Sequence, residues 1–187
     1  MLYVQHTFKA SKWRIIHMDK FNEIKKWTMQ EQIFKLELPK KENVDWAIEL
    51  NYPFKHPQPI SIVVLNPVNK DFIVLQIAMQ MSPQHQQALA KKGNISFAIF
   101  YNRLKVELLK KDVSYNINQK AHKWILTDQI YYDGLTKHEF FKTIRKLHNS
   151  AILGNMMIDE VVHMAIIPQA KKGKPGKGPN STGGGIY

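Results

Sequence analysis

The chain contains no cysteine. Disulfides, thiolate metal ligands and thiol nucleophiles are thereby excluded. Proline is missing between Pro83 and Pro168, which leaves that stretch open to long helices and unbroken strands. Glycine is scarce in the body of the chain, since six of the nine glycines follow Pro168. Acids are outnumbered, with 15 Asp and Glu against 27 Lys and Arg and a formal charge of +12. Long apolar runs are also lacking. Phe72–Met81 and Met156–Ile167 come nearest, and both are too short and too interrupted to span a membrane. The beginning of the chain does not read as a secretory leader, so a cytoplasmic protein without a membrane partner is expected.

What is present describes a globular protein. A length of 187 residues with 44% apolar and 11% aromatic side chains suits one domain with a substantial core. Charge divides the chain further. Residues 1–18 carry Lys9, Lys12 and Arg14, residues 169–187 carry Lys171, Lys172, Lys174 and Lys177, and neither end has an acid. We therefore expect a basic arm over 1–18, with Met18 as an alternative start. A single domain over 19–168 and a flexible Lys/Gly/Pro tail over 169–187 should follow.

Periodicity supplies the elements. Asp19 is a candidate N-cap, and Phe21, Ile24 and Trp27 recur at helical spacing to about Ile33. Phe34, Leu36 and Leu38 alternate with charges as a short extended exit. Three strands follow, at Val44–Leu50, Ile60–Leu65 and Phe72–Met81. Ser82-Pro83 opens a helix that Gly93-Asn94 should break or kink before Ile95–Lys110. Val113, Tyr115 and Ile117 alternate, as do Trp124, Leu126 and Ile130 with one slip, giving two more strands. After the Asp133-Gly134 turn, Thr136 and Glu139 form a capping box for a last helix. Its face is Phe140, Phe141, Ile144, Leu147, Ala151 and Ile152, and it can run past Gly154 toward Ile167. The order α-β-β-β-α-β-β-α predicts an α+β class, with a largely antiparallel five-stranded sheet and helices packed on one side.

Motifs for chemistry fail on inspection. Gly173-Lys174-Pro175-Gly176-Lys177-Gly178 lacks the spacing and the Ser or Thr of a phosphate loop. His138-Glu139 opens like a metalloprotease helix, but Lys142 stands where the second histidine belongs. No serine lies in a nucleophile elbow. Asp159 and Glu160 are adjacent, about 100° apart on a helix, and cannot face one another. No catalytic residue, metal or cofactor is expected, and the chain reads as a non-enzyme.

Basic and apolar clusters are more suggestive. Lys91, Lys92, Arg103, Lys105, Lys110, Lys111, Lys120 and Lys123 are opposed by Glu107 and Asp112, and the last helix adds Lys142, Arg145 and Lys146. These form either a positive surface or an ordinary solvated face. The tail is either a phosphate-tracking extension or a solubilising one. The run from Ile152 through Met156, Met157, Val161, Val162 and Met164 to Ile167 is apolar on most sides of a helix, hence buried or shared with another chain.

Ser82-Pro83-Gln84-His85 and the stretch from Leu126 to Thr136, in which Tyr131-Tyr132-Asp133-Gly134-Leu135-Thr136 joins a strand to the last helix, resemble an uncharacterised archaeal family over about residues 19–158. The element order is also similar to the type III secretion chaperone-like fold. That likeness implies dimerisation and the binding of protein segments, although such chaperones are typically acidic and this chain is basic.

Two readings follow. The leading expectation is a non-enzymatic protein that binds RNA, or a ribonucleoprotein such as the ribosome. Lys171, Lys172, Lys174 and Lys177 would meet phosphates, Lys142, Arg145 and Lys146 would assist, and Tyr131, Tyr132 or Trp13 would stack. The alternative is a chaperone-like dimeric adaptor. It would hold a partner protein segment on its sheet or on the last helix, through Met156, Met157 and Val161.

Overall fold

The computed structural model describes residues 19–163. The expectations for the arm 1–18 with Trp13 and Met18, for Met164, Ile166 and Ile167, and for the tail with Lys171, Lys172, Lys174 and Lys177 lie outside those residues.

Helix α1 covers residues 19–30, three residues short of the expected end. The cause is local. Gln32 adopts a left-handed φ of 56°, so the Ile33 amide donates back to the Thr28 carbonyl at 3.0 Å and the Gln32 amide to that of Met29 at 3.0 Å. That is the hydrogen-bond pattern of a Schellman cap. The extended exit that follows is in fact a sixth strand. β1 (Phe34–Glu37) pairs antiparallel with β2 (Val44–Tyr52), and Lys35 reaches Glu49 across the pair at 2.8 Å.

Strands β3 (Ile60–Pro67), β4 (Phe72–Gln80), β5 (Ser114–Asn118) and β6 (Lys123–Tyr131) complete an antiparallel sheet in the order β1-β2-β3-β4-β6-β5. The register places the alternating apolar residues on one face. Ile48 lies opposite Val64, Val64 opposite Leu75, Ile77 opposite Leu126 and Ile73 opposite Ile130, and all of them are buried. The slip expected in β6 is Asp128. It keeps the strand's alternation, lies opposite Leu75 on the buried face and accepts an ion pair from Lys146 at 2.6 Å. The other face carries Val63, Leu65, Val74 and Ile125 interleaved with Gln76 and Thr127.

The remaining helices are α2 (Pro83–Lys91), α3 (Asn94–Lys110) and α4 (Lys137–His163). Ser82 caps α2, its hydroxyl accepting the His85 amide at 3.2 Å, and Thr136 likewise accepts the Glu139 amide at 3.2 Å at the start of α4. The helical order is thus α-β-β-β-β-α-α-β-β-α, because Gly93, at a φ of 91°, separates α2 from α3. A side chain is strained at that φ, and glycine is not. α4 lies against β4 and β6, with α2 and α3 beside it. α1 joins the same layer, with Phe21 against Trp46 at 5.3 Å and Trp27 against Phe140 at 5.9 Å.

Candidate partner-docking surface

α3 is a helix with two apolar faces. One is core: Phe100, Tyr101, Leu104 and Leu108 are fully or almost fully buried. Phe97 stacks on His122 at 4.7 Å, and the Tyr101 hydroxyl meets His122 Nδ1 at 3.0 Å. Burial also pushes the Tyr101 phenol above its usual pKa. The opposite face holds Ile95, 74% exposed, then Ile99 and Val106, each about half exposed, and Leu109, 67% exposed. Asn102, also exposed, stands midway between Ile99 and Val106. Steps of four, three, four and three residues average 3.5, close enough to the helical 3.6 to draw a nearly straight line along the helix. Scattered exposed apolar residues are ordinary on a protein surface, whereas an aligned set marks a contact surface.

The flanks of that line are basic. Lys105 lies on one side, with no ion pair among the described residues. On the other, Arg103 is held by Glu160 of α4 at 2.9 Å and Lys110 by Glu107 at 2.8 Å. Both of these pairs are solvent-exposed, so each contributes at most about 1 kcal/mol and yields readily to a competing carboxylate.

The residues singled out from the sequence are placed differently. Met157 and Val161 are core, at 4% and 5% exposure, while Met156 next to them is 61% exposed. α4 buries the stripe running through Ile144, Leu147, Ala151, Gly154, Ile158 and Val161, and its outer side carries Asn155, Asp159 and Glu160 beside Ile152 and Met156. Lys142 is paired with Glu139 at 3.1 Å. Lys146 is paired with Asp128 and also donates to the Asp112 carbonyl at 3.1 Å. Lys92 caps the end of α4, donating to the Val161 and Val162 carbonyls, where a cation complements the helix dipole. Arg145 is exposed beside a cleft. Tyr131 is half exposed and packs edge-on against Phe72 at 5.5 Å. Burial raises the Tyr132 phenol well above the ordinary range, so Tyr132 does not offer a freely exposed ring.

That cleft, of about 660 Å³, lies between the end of α1, the chain after β2 and the first turns of α4. Tyr52, Phe54, Phe141, His138 and Arg145 line it, and the Lys137–Glu31 pair at 2.8 Å borders it. Its lining includes no serine, threonine or aspartate. Nearby, His148 lies edge-on to Tyr52 at 4.9 Å, and its pKa is lowered, by burial first and by His56. Among the described residues, Ser82, His85 and Asp159 come nearest to a triad. His85 Nε2 meets Asp159 at 3.1 Å, but the Ser82 hydroxyl accepts the His85 backbone amide and makes no hydrogen bond to the ring, the contact that base activation of a nucleophile requires. Among the described residues, no group of three or more His, Asp or Glu could hold a metal ion. Nor is any helix among them long and apolar enough to cross a membrane.

The model of a protein family described as "Uncharacterized conserved protein (DUF2299)" matches residues 21–158. Among curated proteins, none matches the sequence. A crystal structure of an uncharacterized protein from Methanothermobacter thermautotrophicus is similar at 25% identity with a TM-score of 0.67, over 74% of this chain and 96% of that one. The ExsC–ExsE complex aligns at 15% identity and a TM-score of 0.38, over 64% of this chain and 80% of that one. YbjN from E. coli aligns at 10% identity and 0.37, over 76% and 91%.

The expectation of RNA or a ribonucleoprotein as the partner is corrected on where the basic side chains stand. The physical reason lies in the side chains. Lys146, expected on phosphates, is held by the half-buried Asp128 and by the Asp112 carbonyl. Lys92, expected on the same positive surface, donates to the Val161 and Val162 carbonyls of α4.

Proposed function

From the premise that the chain belongs to this family of uncharacterized conserved proteins, matched across 138 of its residues (21–158), we propose that it is a non-enzymatic adaptor that holds a segment of another protein. The line Ile95, Ile99, Val106 and Leu109 on the outer side of α3 carries this reading. A folded domain that leaves four large aliphatic side chains aligned in water gains when a partner covers them, at about 25 cal/mol for each Å² of apolar surface removed from water. Dimerisation through Met157 and Val161 does not suit the structure, since both side chains are already used inside the domain.

Tagged full-length protein, used as bait in extract of its own cells, should retain a partner protein in stoichiometric amount. The double variant Ile99→Glu/Val106→Glu should retain about a tenth as much or less, because both sites are central to the line and hot spots cluster at interface centres. Its melting temperature should match wild type, because neither side chain is part of the core. Equal retention by the two forms would contradict the proposal.

A further inference from the structure

We infer that the segment received by α3 is itself an α-helix, about two heptads long, with apolar residues at 3.5-residue spacing and acidic residues on both flanks. The inference rests on the adaptor reading and adds the partner's chemistry. Three features of α3 carry it: the spacing, Asn102 and the flanking bases.

Alternating steps of four and three from Ile95 to Leu109 are the signature of a helix that packs knobs into the holes of another helix. The line is one side chain wide. Ala98 and Asn102 are exposed beside and within it, and Arg103 and Lys105 follow at once on its two sides. A lipid surface selects a broad apolar face, and an extended strand would meet every second residue of its own chain with no backbone edge on α3 to pair with. A second helix matches both the width and the period. The line from Ile95 to Leu109 spans 14 steps of rise, about 21 Å, which sets the length of the partner helix.

Asn102 and the bases then exclude a second copy of this chain. In a parallel pair of α3 helices, a flanking residue meets the residue five further on in the other helix, so each Lys105 would meet a Lys110. In an antiparallel pair, core positions of the two kinds alternate, and Asn102 would lie against Ile99 or Val106 with its amide buried and unpartnered, at a cost of about 1–3 kcal/mol. A different helix avoids both penalties, with a polar residue opposite Asn102 and carboxylates opposite Lys105, Lys110 and Arg103. The Glu107 and Glu160 that now hold two of these bases are exposed partners, so exchange for the incoming carboxylates is inexpensive. Asn102 then fixes the register, as a single polar residue does within an apolar seam.

The test uses the full chain and two labelled synthetic helices of two heptads. Both have leucine at the seam positions except for one central asparagine; one carries Glu on both flanks and the other Lys. Fluorescence anisotropy should show the acidic helix binding wild type about tenfold or more tighter than the basic one, and this preference should reverse with Lys105→Glu/Lys110→Glu. Ile99→Glu/Val106→Glu should bind neither. Equal binding of the two helices, or of neither, overturns the inference. So does binding of phosphatidylserine vesicles that Ile99→Glu/Val106→Glu abolishes while the acidic helix is ignored. A dimer in light scattering that the same variant dissolves would assign the line to a second copy instead. If a cellular partner is retained through Ile99 and Val106 while the acidic helix fails to bind, the inference falls and the adaptor reading stands.

Discussion

Met157→Glu should destabilise the domain by about 3–5 kcal/mol, the range found when a charge is left buried and uncompensated. A domain of this kind has about 5–15 kcal/mol in total, so much of its stability should disappear, visible as a fall in the urea midpoint. Met157 is 4% exposed and belongs to the same core as Ile158, Trp124 and Leu104, so a carboxylate there would stand among apolar side chains. Val161→Glu should destabilise too, but by less. Lys92 already reaches the Val161 carbonyl, so a cation stands close to a carboxylate introduced there. Met156→Glu, at the exposed neighbouring position, should stay within about 0.5 kcal/mol of wild type. Light scattering separates this account from the alternative: a shared helix would convert a dimer into a stable monomer in the Met157 variant, without loss of stability.

A comparable loss, about 3–5 kcal/mol in the same assay, is expected for Trp124→Ala. Trp124 is almost fully buried on the inner face of β6 and meets the Phe100 ring of α3 edge-on at 5.7 Å. It also lies against α4 at Gly154, where an added Cβ would be 3.6 Å from the indole Cζ2 and 3.6 Å from its Nε1. One side chain thus joins the sheet to both long helices, and its removal leaves a cavity that three rigid elements cannot close. Trp124→Phe should cost distinctly less, because the buried indole N–H makes no hydrogen bond among the described residues and phenylalanine restores most of the contact. If Trp124→Ala were nearly neutral, the packing of α3 and α4 on β6 would be wrong, and with it the orientation that turns Ile99 and Val106 outward.

Strands with strict alternation were legible in the sequence because one face is core and period two leaves few other assignments. β6 looked irregular because Asp128 occupies an inner position. Only the tertiary partner Lys146 makes an acid acceptable there, and a single strand does not reveal that partner. β1 was obscured for the opposite reason, being a four-residue edge strand with charges that blunt it. Capping chemistry carried the helix starts at Ser82 and Thr136, whereas the end of α1 turned on a left-handed Gln32 that nothing in its composition announces.

The candidate site was hidden by symmetry. In α3, Phe100, Tyr101, Leu104 and Leu108 point one way while Ile95, Ile99, Val106 and Leu109 point the other, so the helix has no single apolar side for periodicity to find. The second set does leave a trace, steps of four, seven and three residues from 95 to 109 that become four-three-four-three once Asn102 is counted. The denser run in α4 is more conspicuous, and the core takes most of its described side chains. The basic residues are ambiguous in a similar way. Counted along the chain they form a cluster, but in space several are bound to Glu139, Asp128, Glu160 and the end of α4.

The absence of cysteine offers the most direct test of the claim that the outer side of α3 is where a partner protein docks. A unique thiol is introduced at Val106→Cys on that line and, in a second variant, at Gln129→Cys on the far face of the sheet, both exposed positions where substitution should leave the fold unchanged. The rate of maleimide labelling is then measured with and without the protein captured from cell extract. The account predicts that labelling at 106 slows about tenfold or more when the partner is bound, as expected for a buried interface centre, and that labelling at 129 keeps its rate. Unchanged labelling at 106 together with protection at 129 would place the partner on the sheet and contradict the account.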